Sequence, residues 1–168
     1  MGKYTYTQVS AAVASVLGFR AEFSGFVYEN DYIALGSGGK KYYIIVTPGE
    51  QVPTRVTFST YHNRYTVVVE LFHIYETPDS VTDLMTLVWT AQEQIRRYWH
   101  LNAGEDSVLD VDVIGVGEPE IRATNNARWL VASIDVVAIE EYELVGAFRL
   151  PSGAHFLLPT GDLLLLPG

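Results

Sequence analysis

The sequence predicts an α+β fold: a mixed, mostly antiparallel sheet with two helices packed on it, followed by a C-terminal β-meander extension. Three observations lead there. Two runs of strand character, about 54–61 and 65–76, flank His62-Asn63-Arg64, which reads as a turn. A long amphipathic stretch, VTDLMTLVWTAQEQIRRYWH, follows the turn signal Thr77-Pro78-Asp79-Ser80. Two more strand-like runs, Val108 to Val116 and Trp129 to Tyr142, come after it.

From the N-terminus, residues 5–18 read as a helix. Thr5 or Thr7 can cap it, Val9, Val13, Val16 and Leu17 share one face, and Gly18 stands where a left-handed stop is expected. The stretch VSAAVASVLGF has the apolarity of a signal segment, but it lacks a strongly basic flank and carries helical periodicity. Short strands are expected at Phe23–Tyr28, Tyr32–Leu35 and Lys41–Thr47, with a turn at Gly36-Ser37-Gly38-Gly39 and a stop at Pro48-Gly49. In the run 65–76, apolar side chains occur on both faces, which marks a central strand.

The helix over about 80–100 has the clearest signals. Thr77 can cap with Pro78 at the first helical position, or Ser80 can cap with Asp83 in a capping box. Asp79 and Asp83 complement its positive end, and Arg96 and Arg97 its negative end. Val81, Leu84, Met85, Val88, Ile95 and Trp99 form the expected apolar stripe. At 1.5 Å per residue the helix would span about 30 Å, enough to cross a sheet diagonally.

In LDVDVIGV, Asp110 and Asp112 alternate with Leu109, Val111 and Val113, so one face of that strand is wet. The polar connection 117–128 reads as a loop. Residues 148–154 (FRLPSGA) and 156–162 (FLLPTGD) are near-copies eight residues apart, each a short apolar strand with a Pro-Ser-Gly or Pro-Thr-Gly turn. They divide the chain into a main domain at 1–143 and an extension at 144–168. The leucine run Leu163–Leu166 cannot all face water, so it is expected to pack either on its own domain or on a neighbouring subunit, the neighbour being favoured because the main domain already reads as complete.

Composition narrows the functions. A 48% hydrophobic chain of 168 residues can bury a real core. Only 18% of its residues are charged, and it holds 11 Tyr, 7 Phe and 3 Trp, which fits either a strand-rich domain or a surface covered by partners. A net charge of −9 argues against tight, general nucleic-acid binding, which needs clustered Lys and Arg, but suits a channel wall that DNA passes without sticking. The absence of cysteine excludes disulfides, thiolate zinc sites and thiol catalysis. No apolar run approaches the length of a membrane span.

Reactive patterns are weak throughout. None of His62, His73, His100 and His155 has a second ligand at helical metal-binding spacing. Gly36-Ser37-Gly38-Gly39-Lys40-Lys41 has the wrong spacing for a phosphate loop and runs into a strand, so it reads as a hairpin turn. Leu158-Pro159-Thr160-Gly161 lacks a residue between Pro and Thr that a sortase signal requires. Paired acids at Glu118 and Glu120, and at Glu140, Glu141 and Glu143, read as solvated edges, with Glu118 and Glu120 as candidate channel-lining acids. There is no Gly-x-Ser-x-Gly elbow. No cofactor, metal or catalytic residue is expected.

The layout of 5–143 resembles the tail terminator (tail completion) family of tailed bacteriophages. The likeness is carried by Pro53-Thr54-Arg55-Val56 leading into the hairpin, then YTVVVELFHIYE, the helix at 80–100, and WLVASIDVVAIEEYE preceded by Arg128. It is one of layout and texture, and it leaves 144–168 outside. The resemblance implies a virion structural protein, assembled in the host cytoplasm, that forms a ring, a hexamer in that family. Such a ring stops the tail tube, meets the head connector, and lets DNA pass without specific binding. It would work through a closed heterologous interface and have no active site. His62, Asn63 and Arg64 would then be candidate contacts at a hairpin tip, and Phe148, Phe156, Leu164 and Leu166 candidate contacts of a subunit clasp. Two other readings stand beside this one. The chain could be another neck or tail-tube protein. It could instead be a small-molecule-binding α+β domain with a pocket under the long helix near His73, Tyr98 and His100.

Overall fold

A computed structural model of the chain describes residues 4–32, 39–56, 60–98, 100–102, 108–124 and 127–143. The order of elements is α1 (Tyr6–Gly18), β1 (Val27–Glu29), β2 (Tyr42–Arg55), β3 (Thr60–Ile74), α2 (Ser80–Arg97), β4 (His100–Asn102), β5 (Val108–Val116), β6 (Glu120–Thr124) and β7 (Ala127–Glu143). They build the expected α+β architecture. The sheet order is β1-β2-β3-β7-β5-β4, and β6 pairs with β7. The β1–β2 pair is parallel and the other pairs are antiparallel. The extension at 144–168, with its expected meander, lies outside the described residues.

At the centre, β3 and β7 pair without interruption from Thr60↔Glu143 to Ile74↔Trp129. Because β3 fills one side of β7, β5 and β6 follow one another along its other side. Both helices pack on the same sheet face. There Val9, Val13 and Leu17 of α1 and Leu84, Val88, Ala91 and Ile95 of α2 join Ile44, Val46, Val67, Val69, Leu71, Ile134 and Val136 in one buried cluster. A smaller cluster, Tyr43, Ile45, Phe72, Trp129 and Val131, occupies one end of the opposite face. That end of the sheet is therefore apolar on both sides, as the doubly apolar run 65–76 implied.

Helix α1 begins as a capping box. Thr5 Oγ1 accepts from the Gln8 N–H (3.3 Å), and Gln8 Oε1 accepts from the Thr5 N–H (2.8 Å). The left-handed stop expected at Gly18 does not form there. Phe19 keeps right-handed helical angles, turn-like bonds carry the chain on through Arg20 and Phe23, and the left-handed position falls at Gly25 (φ 79°). Phe23 is fully buried within these turns, so the strand expected from Phe23 shrinks to Val27–Glu29.

The hairpin also departs from expectation. Pro48-Gly49 does not end a strand but marks a bulge, and β2 continues to Arg55. His62, Asn63 and Arg64 are not a turn; they lie inside β3, paired with Thr54, Pro53 and Val52. The alternation of the strand explains this: Asn63 turns inward with Tyr65, Val67 and Val69, while Arg64 points outward to solvent. Likewise, the expected loop 117–128 contains β6, a short strand that forms a hairpin with β7.

Helix α2 starts at Ser80, whose Oγ accepts from the N–H groups of Glu76 and Thr77 at 3.3 Å each, while Asp79 makes no side-chain cap bond. The buried row is Leu84, Val88, Ala91 and Ile95. Val81 and Met85, expected in that row, are 40% and 41% exposed. The reason is where α1 docks. Gln94 donates to the Val16 carbonyl at 2.9 Å, and Met85 lies about two and a half turns before Gln94, hence on the opposite flank. Trp99 lies outside the described residues. No described helix is long and apolar enough to cross a membrane.

Three substitutions test this packing. A Cβ at Gly49 would sit 2.5 Å from Thr66 Oγ1 and 2.8 Å from the Thr66 carbonyl oxygen, within the bulge where Thr66 Oγ1 accepts from the Glu50 N–H at 2.7 Å. Gly49→Ala is expected to destabilise by about 1–3 kcal/mol, read from the urea midpoint. Leu84→Ala should cost about 2–5 kcal/mol, whereas Met85→Ala on the exposed flank should stay within about 0.5 kcal/mol.

Candidate functional site

The sequence-selected residues do not converge on one site. His62, on the helix-free face, pairs with Glu141 (Nε2–Oε2 2.8 Å) beside a cleft of about 310 Å³ lined also by Asp110 and Ile139. Asn63 lies on the other face, buried. Its Nδ2 donates to Glu140 Oε2 (3.2 Å) and to Tyr65 Oη (3.2 Å), and Tyr65 in turn donates to Glu140 (2.7 Å). Asn63 is therefore a core residue, and the placement of the triplet at a hairpin tip is corrected. Arg64 is exposed in mid-strand beside Ile139. Glu118 and Glu120 are exposed at the β5–β6 margin, and Glu120 pairs with Arg122. Phe148, Phe156, Leu164 and Leu166 lie outside the described residues.

The residues proposed for a pocket under the long helix are also apart. His73 Nδ1 donates to the Ile74 carbonyl (2.8 Å), and its Nε2 is 4.0 Å from Asp83 in the first turn of α2. Tyr98 stands at the far end of α2, its ring 6.0 Å from that of Phe19. His100 enters only through β4, which pairs with Asp110. Among the described residues, no group of three or more His, Asp or Glu is arranged to hold a metal ion.

Two features were not foreseen. The first is a clamp on the helix-free face. Glu70, buried on β3, accepts from Arg122 Nη1 on β6 (2.7 Å) and from the Tyr32 hydroxyl (2.5 Å), and Arg122 also pairs with Glu120. The clamp reaches across β7 and ties the β6 hairpin to the body of the sheet. Partial burial raises the Tyr32 pKa above its ordinary 10.0, and the bond to Glu70 adds to the rise. Burial acts to lower the Arg122 pKa, but the bonds to Glu70 and Glu120 outweigh it and leave the value raised.

The second is an apolar margin on the helix-bearing side. Val81, Met85 and Trp89 form one exposed row along α2 at i, i+4, i+8, with Trp89 65% exposed. Val116 and Ile121 pair with Ile134 and Leu130, so they share the face on which the helices pack, yet they are 41% and 59% exposed. Ile114, at the β5 bulge, is 55% exposed. These residues offer no acid, base or nucleophile. Their chemistry is desolvation, which suits contact with another apolar surface. Trp89 falls outside the periodic stripe, and Ile121 sits in a stretch that reads as polar, so neither drew notice in the sequence.

No protein-family model matches the chain, and no curated protein matches it.

The clamp is testable in isolation. Arg122→Met leaves a buried carboxylate with fewer donors and should destabilise by about 1–3 kcal/mol. Glu70→Gln combined with Arg122→Met should recover part of that loss, with a coupling of about 0.5–3 kcal/mol in a double-mutant cycle.

Tyr32 supplies a pH signature. A raised folded pKa means its contribution is fully present below pH 10.0 and is lost as pH rises through the folded value. Urea midpoints should therefore fall more steeply above pH 10 in the wild type than in Tyr32→Phe.

Proposed function

We propose that this chain is a virion structural protein of the tailed-phage head–tail junction. Copies close into a ring that terminates the tail tube, meets the head connector and lets DNA pass. The single observation that carries the reading is the apolar margin of Val81, Met85, Trp89, Val116 and Ile121, the kind of surface a neighbouring subunit would cover. The order helix, strands, long hairpin and long helix follows the layout that prompted the resemblance, with the hairpin at 42–74 rather than 54–76 and four strands rather than two after α2.

In this reading the margin on α2 and the β5–β6 side of one subunit packs against a different surface of the next, a heterologous contact that closes when the rotation is right. The helix-free face, with exposed Asp110, Asp112 and Asp135, serves as the wall that repels the DNA backbone, and Glu118 and Glu120 stand near it.

Negative-stain images of the purified protein at micromolar concentration test the proposal. Closed rings of one size are expected. Open tubes would assign the chain to the tail-tube class instead, and monomers alone would contradict self-assembly. Trp89→Glu should abolish the rings while leaving thermal stability within about 0.5 kcal/mol, because the side chain is exposed.

A further inference from the structure

We draw no further inference here: the strongest candidate, the cleft of about 430 Å³ between helix α1 and strand β1, is walled by small side chains such as Ala11, Ala14 and Ser15 with the exposed acids Glu29 and Asp31 at its edge, and among the described residues no buried, unpartnered polar group points into it to say what it would hold.

Discussion

The antiparallel pairing of β3 with β7 is the constraint on which the other elements depend. Its register runs unbroken from Thr60↔Glu143 to Ile74↔Trp129, and it gives β2 one edge to pair with and gives β5 and β6 the other. The same two strands supply Val67, Val69, Leu71, Ile134 and Val136 to the floor on which both helices rest. Burying each such side chain contributes about 1.5–3 kcal/mol, and each favourable cross-strand pair adds about 0.2–1 kcal/mol. The partners are far apart in sequence, so this spine forms only after a long loop has closed, which places the chain among slower-folding topologies.

Buried polar groups hold that pairing in register. Asn63, Tyr65 and Glu140 bond to one another across β3 and β7 within the core. A slip of one residue would turn Asn63 and Val67 toward solvent and carry His62 and Glu70 inward, away from the partners each now has. On the opposite face the Glu70–Arg122 pair performs a similar task for β6, whose ladder of Glu120–Thr124 is short. Polar contacts in this fold thus choose among alternatives that apolar burial alone would tolerate.

Local pattern made some elements legible and tertiary context hid others. The α2 helix with Leu84, Val88 and Ile95 in its buried row, the Thr5 cap and the alternation of Asp110 and Asp112 with Val111 and Val113 are properties of nearby residues and appear as read, whereas Val81 and Met85 of the same stripe do not. His62-Asn63-Arg64 reads as a turn because three polar residues interrupt two apolar runs. The partner that lets Asn63 stay inside a strand, Glu140, is 77 positions away. Pro48-Gly49 reads as a stop for the same reason, although the close approach of Thr66 turns it into a bulge. Which flank of α2 is buried depends on where α1 docks through Gln94, and periodicity within one helix cannot supply that information.

Together these choices leave apolar side chains exposed on the helix-bearing side of the described residues. The spine includes β7, β7 sets β5 and β6 beside it, and α2 packs on β3, β7 and β5 with Met85 on the flank away from α1 and Val81 and Trp89 exposed beside it. We propose that a rigid β3–β7 spine presents this margin to neighbouring copies. Hydrogen exchange read by mass spectrometry at nanomolar and micromolar protein tests it most directly. Peptides covering 67–72 and 131–138 should exchange slowest at both concentrations, while those covering 81–89 and 114–121 gain protection only at the higher one. Concentration-independent exchange at 81–89 and 114–121, or spine amides exchanging as fast as those of β1 and β4, would contradict it.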